Sequence, residues 1–395
     1  MSDRQNISLL IAHGVLHRLA WGGSGVFLAV YLYREGVGLP EIFLCFAAIL
    51  ALRFLFRSLL APVVAALGMR RTLILATVLQ AAPYPALALV HGVSPALALY
   101  CAASALGAAF YFTCYHAVFS ALGDARRRGE QVGWRQILMT AAAVAGPAVG
   151  GVVLATAGAW AAFGAAAVLE LLAIVPLLGL DEVDPGPARS ARGWFADVGA
   201  GALLFATDGW ISNVSLLSWN LIMFRGLGGR FDAFGGAVAA AALAGAVFAA
   251  VLGRFVDMGH ARKALWFSAA AFAANLILKM LCGEGSTVVL TVTIGTSLLT
   301  GFYTPALMIA FYNAAKRSPS VLRFQIASEG AWDVGGFVVT LTAAALCASG
   351  APLAATFLLP LAVVPLQALL LHRTYGAEET SASPLPAAKA AGGAA

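Results

Sequence analysis

The sequence predicts an all-α integral membrane protein, with twelve transmembrane helices arranged in two six-helix bundles. Composition, the spacing of apolar stretches and an internal repeat support this fold class. Of the 395 residues, 61% are hydrophobic and 11% are charged, and the mean hydropathy is +0.88, whereas soluble domains contain about 25% charged residues. Because a soluble globule could not bury so much apolar surface, the composition excludes a soluble enzyme, a nucleic-acid-binding protein and a disordered chain.

Twelve apolar stretches are long enough to cross a bilayer as helices, which takes roughly 20 residues each. Short connections make successive helices antiparallel, so residues 1–180 and 194–375 form the two bundles, joined by a cytoplasmic linker at 181–193. The low-complexity residues 376–395 predict a disordered cytoplasmic tail. The predicted spans are 8–33, 40–66, 71–91, 95–119, 132–156, 159–180, 195–224, 232–252, 264–282, 287–313, 325–348 and 352–372.

The distribution of Lys and Arg predicts that both termini are cytoplasmic. With a cytoplasmic N-terminus, seventeen of these residues fall inside, and four fall outside: Arg34, Arg225, Arg230 and Lys279. Such a bias follows the positive-inside rule, so the net charge of +6 reflects topology and the lipid bilayer, not a nucleic-acid partner. The compact loops and the Ala- and Gly-rich composition indicate the inner membrane of a bacterium.

Three short motifs recur at a nearly constant offset of 189 to 192 residues, which predicts a duplication of six helices. Six-plus-six duplication is typical of alternating-access transporters, which hold their substrate at the repeat interface near the bilayer midplane. Ala109-Phe110-Tyr111 recurs as Gly301-Phe302-Tyr303, Arg126-Arg127 as Lys316-Arg317, and Gln136-Ile137 with Gly146 as Gln325-Ile326 with Gly335.

Two motifs resemble those of a known family. The fifth span contains Gly146-Pro147-Ala148-Val149-Gly150-Gly151, a G-P-x-x-G-G element, and the loop from Gly253 to Lys263 matches G-x-x-x-D-x-G-x-x-R-[RK]. A degenerate copy of this loop follows the second span, where an alanine stands at the expected acidic position, 65 or 66. With the twelve spans and the duplication, the chain resembles the major facilitator superfamily over nearly its whole length.

This resemblance implies a secondary transporter in which spans 1, 4, 7 and 10 line the cavity and spans 2 and 11 meet across the domain interface. The resemblance also implies gating or pivot roles for residues of the two motifs. The glycines of the first motif also fit plain close packing, and the loop also fits an ordinary solvated surface. The missing acidic residue predicts a weaker cytoplasmic lock in the N-terminal half. The implied gating residues are Gly68, Arg71, Gly146, Pro147, Gly150, Gly253, Asp257 and Arg262.

Charged residues inside the spans are the next candidates, because a charge near a span centre costs about 2.5–3.5 kcal/mol and normally faces a partner or a wet cavity. A buried carboxylate holds its proton more tightly than one in water, so Asp208, Glu329 and Asp333 are predicted to couple transport to protons. Arg53 is predicted to pair with Asp333 between the halves. The alternative is that these charges only neutralise one another and stabilise packing.

Separate predictions apply to three further polar residues in the spans. Arg57 is predicted to reach the lipid headgroups, because it lies one turn closer to the cytoplasm than Arg53. Glu170 is predicted to have a local hydrogen-bond partner and little functional weight. For His17, a structural role is expected.

Aromatic residues on the spans that the resemblance places around the cavity suit an amphipathic or ring-bearing solute, although such residues also form cores and interfacial belts. The two arginines at mid-depth in the N-terminal half, Arg18 and Arg53, favour a solute with a carboxylate or phosphate group. The predicted substrate-binding residues are Arg18, Trp21, Arg53, Tyr111, Tyr115, Trp219 and Tyr303.

The sequence thus predicts a monomeric, proton-coupled secondary transporter of a small organic solute, anionic or amphipathic. Export of a drug-like amphipathic compound is one alternative, and a non-transporting sensor or assembly factor with the same fold is another. The chain contains neither a G-x-x-x-x-G-K-[ST] phosphate loop nor a hydrolase constellation, and its five cysteines form no C-x-x-C pair. No enzymatic activity, cofactor or metal site is therefore expected.

Overall fold

The computed structural model describes residues 3–122, 128–184, 199–255, 261–282, 285–300 and 320–382, together with the single positions 307, 311, 315 and 318. Every regular element within these ranges is helical, which confirms the all-α class. Seven of the helical segments are long and apolar enough to cross a membrane, and three shorter apolar helices accompany them. The count of twelve crossings and the cytoplasmic position of the termini stay predictions.

The helices of the N-terminal half coincide with the first six predicted spans, and four of these spans are interrupted. Pro83 and Pro85 follow one of the breaks, where proline removes a backbone donor and disfavours continuation of the preceding helix. The elements are α1 (Asp3–Ser24), a 3-10 turn (Gly25–Phe27), α2 (Leu28–Arg34), α3 (Leu39–Phe56), a 3-10 turn (Arg57–Leu59), α4 (Leu60–Leu67), α5 (Met69–Ala81), α6 (Pro83–Ala88), α7 (Pro95–Leu122), α8 (Arg128–Thr156), α9 (Gly158–Leu172) and α10 (Ile174–Leu178).

The C-terminal half follows the same pattern over the residues described. The last helix continues to Ala382, into the segment predicted as tail, through residues that include the good helix formers Ala and Glu. Residues 383–395 and most of the linker lie outside the described ranges, so the disordered tail and the linker stay predictions. The elements are α11 (Gly199–Gly226), α12 (Phe231–Phe255), α13 (Ala261–Leu281), α14 (Ser286–Thr300), α15 (Val321–Ala348), a 3-10 turn (Leu353–Phe357) and α16 (Leu358–Ala382).

The two halves meet through the helix pairs α3–α15 and α8–α12, so the second and eleventh spans do meet across the interface. Within the halves, α1 packs on α8 and α11 packs on α15. Both contacts depend on glycine: a Cβ atom on Gly150 would lie 2.5 Å from the Cα of Gly23, and one on Gly335 would lie 3.1 Å from the Cα of Ala206. The predicted close packing of the Gly146-to-Gly151 element is therefore present, and its C-terminal counterpart packs in the same way.

The same element also contacts the other half of the protein. A Cβ atom on Gly235 of α12 would contact the carbonyl oxygen of Pro147 and lie 3.1 Å from the Cα of Gly151. A Cβ atom on Gly151 would lie 2.6 Å from the carbonyl oxygen of Phe231. Helix α8 therefore has backbone contacts with α1 on one face and with α12 on another.

At the end predicted to face outward, aromatic rings from both halves pack together in what we term the outer aromatic cluster. The ring centroids of Phe27 and Phe234 are 5.4 Å apart, and those of Tyr31 and Phe231 are 6.5 Å apart. Phe224 lies against Phe231, with a centroid distance of 5.2 Å. The cluster closes the interface between the halves at this end.

Candidate functional site

A cavity of about 480 Å³ lies between the two halves, within the range of roughly 300–1,000 Å³ that is usual for small-molecule sites. Most of its wall comes from the N-terminal half, and α11 and α15 complete it. Among the described residues, the lining includes cations, neutral polar groups and aromatic rings, but no Asp or Glu. Its charged and polar members are His17, Arg18, Ser24, Arg53, Gln80, Ser104, His116, Asn213 and Asn220, and its aromatic members include Trp21, Tyr84, Tyr100, Tyr111, Phe112, Tyr115 and Trp332.

Five of the seven predicted substrate-binding residues line this cavity: Arg18, Trp21, Arg53, Tyr111 and Tyr115. The guanidinium carbon of Arg18 lies 4.9 Å from the centroid of the Trp21 ring, which is a cation–π distance. This contact holds the arginine against the cavity wall. The amides of Gln80, Asn213 and Asn220 were missed from the sequence, and the signal for them was an uncharged polar side chain within an apolar span.

The other two predicted substrate-binding residues are not in the lining. Trp219 lies away from the cavity, where its Nε1 donates to the Oγ1 of Thr293 at 3.1 Å. Its ring centroid is 5.0 Å from the Nζ of Lys279. Tyr303 falls outside the described residues.

Lys279, one of the four cations predicted to lie on the outer side, falls near the end of the predicted ninth span, 264–282. It lies in α13, and only 5% of its surface is exposed. The face of Trp219 accommodates the ammonium group, since an aromatic face attracts a cation.

Four buried charges join the halves in what we term the interdomain ion cluster: Arg53, Arg57, Glu329 and Asp333. The predicted pair is present, with Arg53 Nε 3.1 Å from Asp333 Oδ1, and Arg57 Nη2 lies 2.5 Å from Asp333 Oδ2. Glu329 Oε2 lies 3.6 Å from Arg53 Nη2 and 3.9 Å from Arg57 Nη2. Two positive and two negative charges leave the cluster without net charge.

The prediction that Arg57 reaches the lipid headgroups is wrong. Only 2% of its surface is exposed, and it donates to Asp333 and to the Oγ1 of Thr113 on α7. The carboxylates on α15 explain the difference, because a guanidinium with ion pairs inside the protein need not extend to water to be solvated.

The cluster also touches the cavity wall. The guanidinium carbon of Arg53 lies 5.1 Å from the ring centroid of Trp332 and 5.7 Å from that of Phe112. The Nε2 of His116 lies 3.9 Å from Glu329 Oε1. A solute in the cavity is thus next to the groups that join the halves.

Asp208, the third predicted proton-coupling residue, lies behind Trp332. The indole Nε1 of Trp332 donates to its Oδ2 at 2.9 Å, and Ser212 Oγ donates to its Oδ1 at 3.3 Å. All three predicted carboxylates are buried in the C-terminal half.

A second buried carboxylate site lies in the N-terminal half. The Nδ1 of His17 lies 2.9 Å and 3.0 Å from the two carboxylate oxygens of Glu170, and its ring stacks on Tyr111 at 4.0 Å. The hydroxyl of Tyr111 lies 3.0 Å from the Nε2 of His13, whose Nδ1 contacts the carbonyl oxygen of Ala173 at 2.8 Å. Glu170 does have a hydrogen-bond partner within its own half, but it is 153 residues away in sequence.

Among the predicted gating residues, Gly68 adopts a φ of +82°, which favours glycine, and it comes just before α5, where Arg71 is exposed. The acidic group missing from this loop is supplied by Glu182, at the start of the linker. Its Oε1 accepts from the backbone N–H groups of Met69 at 2.5 Å and Arg70 at 3.2 Å. A carboxylate from elsewhere in the chain thus lies at the start of α5, and the weaker cytoplasmic lock of this half stays a prediction.

The second copy of the loop is only partly visible. Gly253 lies in α12 and Arg262 in α13, but their surroundings are outside the described residues, and so is Asp257.

We expect Glu182→Ala to loosen the start of α5, because two helix N–H groups lose their acceptor and the helix dipole loses a nearby negative charge; such caps stabilise helices by about 0.5–2 kcal/mol. Hydrogen exchange of the amides at 69–72 should become faster. Glu182→Gln keeps an acceptor oxygen and should show a smaller change. Equal exchange in wild type and Glu182→Ala would show that this contact does not hold the helix end.

Comparison with known proteins places the chain in a family. The family model for the Major Facilitator Superfamily matches residues 10–321. A search of curated protein sequences gives no significant match.

Several solved structures share this fold. A D-xylose-proton symporter superposes with a TM-score of 0.66 at 14% identity, covering 93% of this chain and 96% of the other. The POT family transporter PepTSo gives 0.65 at 14% identity, covering 96% and 99%. The human organic anion transporter MFSD10 (TETRAN) gives 0.64 at 14% identity, covering 94% and 100%. The match of the family model over most of the sequence, together with this shared fold, shows that the chain belongs to the major facilitator superfamily.

Proposed function

We propose that the protein is a secondary active transporter that moves a small organic anion together with a proton by alternating access. The observation that carries the proposal is the charge of the cavity lining, which has Arg18, Arg53, His17 and His116 but no Asp or Glu among the described residues. Guanidinium groups bind carboxylate and phosphate groups well. A cavity lined in this way favours an anion over a cation or a neutral sugar.

The aromatic wall supports a solute that also carries a ring or another apolar part. Tyr111, Phe112, Tyr115 and Trp332 face the same space as the arginines. The same wall favours a second candidate function, export of an amphipathic compound. Solved structures with this fold are named as a D-xylose-proton symporter, a POT family transporter and an organic anion transporter, so the fold itself does not select among solutes.

The interdomain ion cluster and the glycine contacts suit a protein whose halves move against each other. We assign gating and pivot roles to the residues predicted from the resemblance, namely Gly68, Arg71, Gly146, Pro147, Gly150, Gly253, Asp257 and Arg262. The carboxylates of Asp208, Glu329 and Asp333 are the proton-coupling candidates of the C-terminal half. The transporter is proposed to act as a monomer in the inner membrane of a bacterium.

Flux measurements test the proposal. Purified protein in liposomes, with a pH-sensitive dye inside, is supplied with three organic anions (benzenesulfonate, glutarate and phenyl phosphate), the amphipathic cation ethidium, and the neutral sugar xylose. We expect anion flux accompanied by proton movement. Flux of ethidium would favour the exporter, flux of xylose would contradict the anion assignment, and no flux with any solute would favour a non-transporting protein.

We expect Arg18→Gln to raise the half-saturating anion concentration about 10- to 100-fold, since hydrogen bonds to charged groups contribute about 1.5–3 kcal/mol. Arg18→Lys should recover part of the loss. Arg373→Gln, at an exposed position near the end of the last helix, is the matched control and should behave as wild type. An unchanged half-saturating concentration in Arg18→Gln would remove this arginine from the binding site.

A further inference from the structure

We infer that His17 and Glu170 form the site at which the transporter binds the proton that accompanies its anionic solute. This inference rests on the proposed function and goes beyond it, because it moves the proton from the C-terminal half to a pair in the N-terminal half. Glu170 was expected to have little functional weight, and its surroundings argue otherwise.

The pair is buried and closely bonded. Glu170 has no exposed surface and His17 only 9%, and both carboxylate oxygens lie within 3.0 Å of the same imidazole nitrogen. Within the described part of the chain, His17 is the only ion-pair partner of Glu170. The interdomain ion cluster differs, because two arginines there already balance two carboxylates.

One proton decides the charge of the pair. With neutral imidazole and ionised carboxylate the pair carries −1, and with one added proton it is neutral, whether that proton is on the nitrogen or on the oxygen. The two states therefore differ by one unit of charge at a buried site, where an unbalanced charge is unfavourable. The added proton can be held between the Nδ1 of His17 and the carboxylate of Glu170, because these groups already lie at hydrogen-bond distance.

The groups around the pair leave this exchange open. His13 is engaged by the Ala173 carbonyl and the Tyr111 hydroxyl. Residues 137–156 of α8 and all of α10 contain no Asp, Glu, His, Lys, Tyr or Cys. The titratable residues of α5, Arg70 and Arg71, lie in its first turn. Among the described residues, the titratable groups that interact with the pair are His13 on α1, Tyr84 on α6 and Tyr111 on α7, and Arg18 on α1 lines the same cavity as His17.

The pair reaches solvent through the cavity. His17 lines the cavity and Glu170 lies behind it. A proton therefore enters from the same space as the solute, and the movement that exposes the cavity to one side of the membrane exposes the proton site to that side too.

Arg18, the next residue along α1, also lines the cavity. An anion held there is repelled by a pair that carries −1 and is not repelled by a neutral pair. Proton binding thus strengthens anion binding, and by reciprocity the anion strengthens proton binding. This linkage makes the two move together.

The test compares Glu170→Gln with wild type in liposomes, using benzenesulfonate, glutarate and phenyl phosphate as probes. In wild type we expect the half-saturating concentration to rise about fivefold or more as the pH is raised through the range in which the pair loses its proton. Glu170→Gln cannot form the state with a charge of −1, so its half-saturating concentration should not show this rise. Accumulation driven by a pH gradient should fall at least about tenfold, whereas exchange of labelled for unlabelled anion at equal pH should persist.

A second His–Glu pair provides the matched control. His91 and Glu35 are bonded at 2.7 Å, but the His91 side chain is 77% exposed. Glu35→Gln should therefore leave both the pH dependence and the gradient-driven accumulation as in wild type. The double variant His17→Gln/Glu170→Gln removes both proton acceptors and repeats the test in case Glu170→Gln does not fold, and persistent exchange shows that a variant is folded.

The outcomes separate the two levels of the proposal. If wild type moves none of the three anions with protons, the proposed function fails and this inference fails with it. If wild type is proton-driven and the folded Glu170→Gln and double variants remain so with the same pH dependence, only the inference is overturned. Loss of coupling in Asp208→Asn with retention in Glu170→Gln would instead assign the proton to the C-terminal half.

Discussion

We expect removal of one charge from the interdomain ion cluster, as in Asp333→Leu, to destabilise the protein more than loss of a helix cap or of a single neutral hydrogen bond would. The substitution leaves Arg53 and Arg57 buried with only Glu329 to balance them, at 3.6 and 3.9 Å. Removing one partner of a buried ion pair costs about 3–5 kcal/mol, because the remaining charge is uncompensated. A lower thermal midpoint in detergent and a loss of transport should both be measurable.

The double variant Arg57→Leu/Asp333→Leu restores neutrality and is the control for this prediction. It leaves Arg53 paired with Glu329, so its stability should be close to that of wild type, since apolar replacement of a whole buried pair is often neutral. The coupling free energy from the two single variants and the double variant then measures the interaction between the halves. If both single variants are as stable as the double variant, the ion cluster does not hold the interface.

We expect Gly235→Ala to give the second large effect. Its new Cβ atom would meet the carbonyl oxygen of Pro147 and the Cα of Gly151. Since these are backbone atoms of a packed helix, neither can move aside as a flexible side chain would. Overpacking of this kind costs about 1–3 kcal/mol, occasionally more, and it separates α8 from α12, so transport should fall with stability.

The neighbouring glycine is the matched control for that substitution. Among the described residues, leaving aside its chain neighbours and the backbone of its own helix, no atom lies within 4 Å of a Cβ placed on Gly236, although it is in the same helix turn and the same chemical change is made. Gly236→Ala should retain wild-type thermal stability and transport. Equal behaviour of the two variants would mean that α8 and α12 can separate without loss of function.

Local sequence patterns were sufficient to predict the positions of the helices and part of the candidate site. Apolar length predicted where the helices occur, and glycine spacing predicted the close approach at Gly146 and Gly150. The family resemblance, which pairs the second and eleventh spans, gave the Arg53–Asp333 contact. Each of these features depends on neighbours within one helix or on a pairing of helices that the fold class already implies.

Other features depend on partners that no local pattern identifies. Arg57 lies at a depth from which a side chain commonly reaches the headgroups, and only the position of Asp333, 276 residues away, turns it inward. Glu182 completes a loop 113 residues before it, although the loop's own residues lack the acidic group. Trp219 shares a helix with cavity-lining Asn213 and Asn220, and its orientation toward Thr293 follows from the packing of α11 against α14.

In the proposed alternating-access cycle, the outer aromatic cluster gives the conformational equilibrium a temperature dependence. Opening the protein at that end exposes the faces of Phe27, Tyr31, Phe231 and Phe234 to water, and exposure of apolar surface raises the heat capacity. Apolar contacts weaken on cooling, whereas the salt bridges of the interdomain ion cluster have no such apolar hydration term. The closed outer end is thus held least firmly in the cold, and the balance between outward-open and outward-closed states follows a curve in temperature rather than a straight line.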